Sequence, residues 1–590
     1  MSNSSYAKGH KSSKEQLNDE NKIIETLRDG TDTKGKAKEI DPSTSVIDNV
    51  DRGPEKSEEH STVLVVLTIG ICLVAFAVSL DNTILATAIP RITAEFDTLD
   101  NAAWYRSASF VASAGLQLPL AKLYTYFDAK WTYLASLTVF ELGCVICAVA
   151  TNPDIFIAGR AVSGAGAAGL YPGVVNILGL AASAKLRPVL FAVVTGAVGV
   201  ASLVGPPVGG IFTDSSRMTW RWCFWVNLPI GGVAGAIVLL ALRPPRLNLW
   251  KKTDTGSSDG KAQLSAKQPL EQTQPLTQKL LKLDPVGTIF LSGATVSLLL
   301  ALQWGGTSHY WTDKPVWGCL AAAGLLLSSF AFVQRYFRDP ASASIPPGLF
   351  RCRTVLTSAL LATTLSAALL AHVFLLPFYF QAVRGTTATG SGLRMLAYLG
   401  AAALGGVVFG AAVASGRVGR RYGVCAFVAT GLFVVGAGLL HTLGVDTPPG
   451  TAAAYQVVAG VAVGVAWQVP FVAVQQQQRA GELGVGGHGV ANALIACANS
   501  FGAALGIFVV QNIFLGTLAS GLGDVAGLTT EHVDAILRAG RLPGMRDPVF
   551  MNPLLLHEVV AAFAAAVDAA FVFPVVAGVF AFLASLILLW

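Results

Sequence analysis

Four stretches, and one isolated glutamate, hold residue types that could do chemistry inside otherwise apolar sequence. Residues 80–90 read LDNTILATAIP, so Asp81 and Asn82 sit within a long apolar run. Glu141 lies in the middle of another run, and Arg160 opens a third in the Gly159–Gly169 segment GRAVSGAGAAG. A charge inside a membrane span costs several kcal/mol unless it faces protein or water, so these are candidates for proton coupling or substrate contact. Residues 196–210 read GAVGVASLVGPPVGG, which joins two prolines to a run of small residues. Residues 220–231, WRWCFWVNLPIG, carry aromatics suited to a membrane interface.

Each candidate also has a structural reading. Asp81 could cap a helix end near Pro90, and Glu141 could serve as a structural partner for Arg160, since buried charges are usually paired. The Gly/Ala runs could be ordinary close packing of membrane helices. His372 reads as a packed, neutral histidine, and Asp568 as a residue at the membrane surface. Trp304, Trp311 and Trp317 read as interface anchors, while Trp467 and Phe471 could line a pocket.

Other chemistries find no support. A membrane-embedded enzyme needs a clustered His/Asp or Ser/His set. The histidines are dispersed, among them His309, His441, His488, His532 and His557. The phosphate-binding pattern G-x-x-x-x-G-K-[S/T] is absent, so an ion gradient is the expected energy source. Carboxylates such as Asp81 and Glu141 are natural proton carriers when burial disfavours their charge. Cys144 and Cys147 form a CxxC inside an apolar run with no accompanying His, which points away from metal or redox use. No metal and no cofactor is expected. A net charge of +6 without a long basic cluster gives no sign of nucleic-acid binding.

The elements that position these residues follow from composition. The chain is 53% apolar and 13% charged, with a mean hydropathy of +0.57. A soluble protein carries about 25% charged residues. Apolar runs of about 20 residues match the hydrocarbon layer. They predict fourteen spans: 63–86, 103–121, 131–150, 155–180, 189–212, 222–242, 285–304, 316–334, 354–380, 395–415, 422–441, 452–473, 488–512 and 569–590. The second is the weakest, because it carries Gln117 and Pro119. Residues 1–61 are polar and read as a disordered tail. The first span is expected to act as its own membrane signal.

Lys and Arg concentrate in alternate loops, around Lys122, Lys130, Lys185, Arg187, the 243–284 linker, Arg335, Arg353, Arg417 and Arg479. That bias places both termini in the cytoplasm. The 513–568 loop would then face outward, with a helical stretch at Glu531–Arg538 placed to cover the outer mouth.

Taken together, the four stretches resemble the major facilitator superfamily, in its 14-span drug:proton antiporter branch, and in particular the fungal toxin efflux pumps. The Asp81 segment is similar to that branch's first-span signature and Arg160 with its small residues to the fourth-span motif. Gly205-Pro-Pro-Val-Gly-Gly210 matches the fifth-span antiporter motif. Phe140-Glu-Leu-Gly143, Lys122-Leu-Tyr, Lys130-Trp and Trp220-Arg-Trp-Cys-Phe add fungal character. One loop departs. Where the family reads G-x-L-x-D-R-x-G-R-K, residues 121–130 read AKLYTYFDAK, with Thr125 in place of the Asp and Asp128 in place of the second Gly.

The resemblance implies an all-α membrane protein of fourteen helices in a 6 + 2 + 6 plan. A bundle over 62–242 and one over 335–590 would be related by a pseudo-two-fold axis, with 285–334 inserted between them. It implies a monomer in the lipid bilayer that exports an amphipathic toxin, secondary metabolite or drug in exchange for protons across the plasma membrane. Gly196, Gly205, Pro206, Pro207, Gly209 and Gly210 would form a gating hinge between the bundles. An uptake or vacuolar carrier for siderophores or basic amino acids shares the 14-span plan and stays open as an alternative. So does a sensor that moves no substrate.

Overall fold

The computed structural model describes residues 54–589 apart from 183–185, 243–282, 306–308, 337–342, 346–347, 350–351, 420, 480–486, 527 and 540–552. Residues 1–53 of the expected tail and 243–282 of the linker therefore lie outside the described residues, whereas 54–61, expected within the disordered tail, are helical. The described residues from 59 onward form one compact unit.

The unit is built from helices: α1 (Pro54–Phe96), α2 (Ala102–Tyr126), α3 (Ala129–Val149), α4 (Pro153–Ala181), α5 (Arg187–Asp214) and α6 (Trp222–Ala241, interrupted at Val226). They continue as α7 (Pro285–Trp304), α8 (Lys314–Tyr336), α9 (Arg353–Phe378), α10 (Ala388–Ala414), α11 (Tyr422–His441), α12 (Pro449–Arg479) and α13 (Gly487–Gly523). A short α14 (Thr530–Ala539) and the long α15 (Pro553–Ile587) follow. Among the described residues, thirteen helices are long and apolar enough to cross a membrane. Helix α2 is long enough, but Arg106, Gln117 and Lys122 make it too polar to join that set.

Polar caps set the helix starts within short turns. Asp128 accepts from the Lys130 and Trp131 amides at 2.9 and 3.3 Å, and Asn152 accepts from Ile155 at 2.9 Å ahead of Pro153. Such side chains satisfy amides that have no intrahelical partner.

The ends of the last spans differ from the sequence expectation. Helix α13 runs eleven residues past 512, and α15 begins sixteen residues before 569. The expected 513–568 loop is thereby shortened from both sides. A helix of 35 residues is about 52 Å long, more than the hydrocarbon layer requires, so a span-length criterion stops too soon. The Glu531–Arg538 stretch is helical within α14, which buries Ile536 and packs against α13 and the 3-10 turn Leu99–Asn101.

The two halves repeat one set of pairings. Helices α2 and α4, α3 and α4, and α3 and α6 pack together in the first half. Their counterparts α10 and α12, α11 and α12, and α11 and α15 do so in the second. Between the halves, α5 lies on α10 as α13 lies on α2.

The repeat reaches single residues. Gly205 and Gly209 of α5 admit the backbone of α1 at Thr83 and Ile84, and Gly502 and Gly506 of α13 admit α9 at Thr363 and Ala367. Thr83 Oγ1 donates to the Ala201 carbonyl at 3.3 Å, and Thr363 Oγ1 to that of Ala498 at 3.2 Å.

The pair α7–α8 straddles one seam, since α7 touches both α2 and α13. Asn512 Nδ2 donates to the Leu302 carbonyl at 3.0 Å and also to that of Gly305. At the other end of α7, the buried Asp284 accepts from Gly287 N at 2.9 Å, from Ser344 Oγ at 2.7 Å and from Gln334 Nε2. Lys122 Nζ reaches the Ala343 carbonyl of the same segment at 2.5 Å.

Candidate functional site

The centre of the first half holds an ion pair made by three helices. Arg160 of α4 donates through Nη1 to both oxygens of Asp81 of α1, at 2.9 and 2.7 Å. Its Nη2 donates to Ser109 Oγ of α2 at 2.9 Å. Both charged side chains are almost completely buried. The small residues of α4 make this possible, because Gly164 lets the α2 backbone at Ser109 come close and Gly166 does the same for α3 at Phe140. The Phe224 ring of α6 faces the Arg160 guanidinium at 5.8 Å.

The structural partnership expected between Glu141 and Arg160 is not formed. Glu141 projects from α3 toward α6, where its carboxyl fills the space a side chain at Gly231 would need. Both of its oxygens are buried without a hydrogen-bond partner among the described residues. Arg160 takes the carboxylate on α1 because the α4 face bearing it is turned toward α1 and α2. Asn82, one residue from Asp81 and so about 100° further round the helix, is half-buried.

A second cation stands beside the pair. Arg106 of α2 is 2% exposed, with Nε and Nη1 unpartnered, and lies near enough to Arg160 and Asp81 to feel both charges. It is legible by the same rule that picks out Asp81, since it is a charge inside a helix of span length. The polarity of α2 obscures it.

The aromatic motif at 220–231 does more than mark an interface. Trp220 and Phe224 are buried, whereas Trp222 points outward. Trp220 packs edge-on against Phe156 and Phe96 at centroid distances of 5.6 and 5.9 Å. Its Nε1 donates to Glu95 at 2.7 Å, and Arg221 pairs with the same carboxylate at 3.2 Å. These contacts close the first half at the Phe96 end of α1.

The fifth-span motif divides into two contacts. Along α1, Ser79, Thr83 and Thr87 recur every fourth residue on one face and donate to the carbonyls of Val198, Ala201 and Pro206, at 3.1, 3.3 and 3.1 Å. Gly205 and Gly209 keep α5 against that face, so their contact lies within one half. Gly210 faces the other half, where a Cβ would strike Ala388 and Thr389 of α10, and Gly392 returns the contact against Pro206. Pro206 and Pro207 lie inside α5 and leave the Ser202 and Leu203 carbonyls without their usual donors. Gly196 stands apart, with nothing within 4 Å of the place a Cβ would take.

His372 is fully buried, its Nδ1 is 3.0 Å from Tyr398 Oη, and it is packed beside Phe433 and Phe571. Asp568 is half exposed and pairs with His441 at 2.9 Å. Phe471 of α12 meets Tyr171 of α4 across the halves at 6.0 Å, and Trp467 is half-buried one turn away. Among the described residues, no group of His, Cys, Asp and Glu could hold a metal ion.

This arrangement is that of a helical membrane transporter, and comparison with known proteins agrees. The family model of the Major Facilitator Superfamily matches residues 71–507. The chain is 35% identical over 506 residues to "MFS-type efflux pump MFS1" of Arthroderma benhamiae, covering 84% of this chain and 88% of that one. It is 38% identical over 457 residues to "Aspyridones efflux protein" of Neocamarosporium betae, covering 76% and 74%. To "Efflux pump roqT" of Penicillium rubens it is 37% identical over 456 residues, covering 77% and 78%. Among solved structures, a bacterial homologue of the human lysosomal transporter Spinster superposes with a TM-score of 0.55 at 16% identity, covering 90% of this chain and 98% of that one. The chain belongs to the major facilitator superfamily.

Proposed function

We propose that this protein exports a small amphipathic toxin, secondary metabolite or drug from the cytoplasm across the plasma membrane in exchange for protons. The observation that carries ion coupling is the buried group of Asp81, Arg160, Arg106 and Glu141, which lies on helices of one half. Buried charges in membrane helices mark ion or substrate pathways. Export is supported by relatives that match most of the chain and are named as efflux proteins.

In this reading α2 is also a span, which makes fourteen. Residues 62–242 and 335–590 form two six-helix bundles, and 285–334 is the insert. Both termini are cytoplasmic, so the Phe96 end of α1 is the outer end. Substrate binds between the bundles near the midplane, where Tyr171 and Phe471 meet, and the bundles rock to expose it to either side.

The test uses intact cells of a yeast stripped of its own export pumps, exposed to a panel of fungal metabolites and drugs. Expression should lower accumulation of at least one compound and raise resistance to it. Arg160→Lys keeps the charge but loses the paired geometry, so it should abolish that effect at unchanged surface amount. Accumulation that rises on expression would establish uptake instead.

A further inference from the structure

At the far end of α5 one carboxylate crosses from one half to the other. Asp214, the last residue of α5, accepts from Thr389 Oγ1 at 2.6 Å, from Thr389 N at 2.8 Å and from Ala388 N at 3.2 Å. These amides open α10, whose first-turn donors have no partner within the helix. An anion at a helix N-terminus is also favoured by the helix dipole.

Helix α10 does not need Asp214 in order to start. It carries its own cap, because Thr387 Oγ1 accepts from Gly390 N at 3.1 Å. The donors left over from that local cap are those of Ala388 and Thr389, and they are taken by a residue of the other half. Asp214 also sits one turn beyond Gly210, which allows the two backbones to approach. A second bond crosses nearby, from Gln381 Nε2 to the Thr87 carbonyl at 3.2 Å.

We propose that Asp214 is the latch of the outer gate, a positioning residue that holds the outer ends of α5 and α10 together while the pump is closed to the outside. It rests on the alternating-access reading above. Opening outward must break all three bonds at once, because they leave one carboxylate for one helix end. Asp214 is itself exposed, so water replaces the lost bonds at low cost and the latch opens reversibly.

The test reads gate opening directly, apart from export. Ser391, one turn further into α10, is fully buried and its hydroxyl is unpartnered. In a chain whose eight native cysteines are replaced, Ser391→Cys is labelled in intact cells with a membrane-impermeant methanethiosulfonate. Asp214→Ala should raise the labelling rate about fivefold, the scale of losing one cap. Thr389→Val, which keeps both amide bonds, should raise it less, and Asp214→Asn should fall between the two. Equal labelling with Asp214 and with Ala or Asn at matched surface amount would overturn the latch. Export lost without a change in labelling would also overturn it and leave the export reading standing. Asp214-dependent labelling in a parent chain that exports nothing would instead refute export and keep the latch.

Discussion

The charges around Arg160 predict an unequal response to removing either partner. Asp81, Arg160 and Arg106 together carry one negative and two positive charges, a sum of +1. Asp81→Asn raises that sum to +2 and leaves two buried guanidiniums with no carboxylate bonded to either. Stranding a buried charge costs about 3–5 kcal/mol. Arg160→Met brings the sum to zero and leaves Arg106, with Nε and Nη1 unpartnered, as the cation whose charge still acts on Asp81. The loss is then that of hydrogen bonds to a charged group, about 1.5–3 kcal/mol. Asp81→Asn should therefore destabilise more, and adding Arg106→Met to it should recover part of the loss. Glu141→Gln should not rescue Arg160→Met, since Glu141 makes no bond to Arg160. The assay is the temperature at which half of the monodisperse peak is lost in fluorescence-detected size exclusion after heating. An Arg160→Met chain less stable than Asp81→Asn, or one rescued by Glu141→Gln, would refute this account of the cluster.

Three further outcomes follow from packing and exposure. Gly209→Val should lower folded yield, because its Cβ would fall on the Ile84 carbonyl within one half, whereas Gly196→Val should leave yield and resistance unchanged; equal yields of the two would contradict the placement. Gly210→Val should keep yield but lower resistance, since it wedges α5 from α10 rather than from its own half, and wild-type resistance at equal surface amount would show the contact to be dispensable. His441→Ala should cost no more than about 1 kcal/mol, because the pair with Asp568 is half exposed; a larger fall in the same heating assay would mean that this pair is better shielded than its exposure implies.

The class of fold is legible in the sequence, because length and apolarity alone decide which runs are able to cross a bilayer. The same rule marks Asp81, Glu141 and Arg160 as buried charges. Which carboxylate Arg160 meets is not legible, since that depends on how α1, α3 and α4 are rotated about their axes. Arg106 obeys the same rule as Asp81 but sits in the most polar of the long helices, where Gln117 and Pro119 blur the span around it. The fifth-span motif is visible through its prolines. The matching Gly502 and Gly506 of α13 share its four-residue spacing without any proline to mark them. Spacing also does not show that Gly205 and Gly209 serve one half while Gly210 serves the seam. The helix ends in 513–568 escape a span-length criterion because helices of 37 and 35 residues are longer than the hydrocarbon layer requires.

The central claim is proton-driven export, and flux in reconstituted vesicles tests it most directly. The purified full chain, inserted in proteoliposomes, is given a compound identified by the resistance panel and an imposed pH gradient. With the cytoplasmic face outward and the lumen acid, the compound should accumulate in the lumen. A protonophore should collapse that accumulation, and Arg160→Lys should prevent it. Accumulation of equal size without a gradient, or with the gradient reversed, would contradict the account.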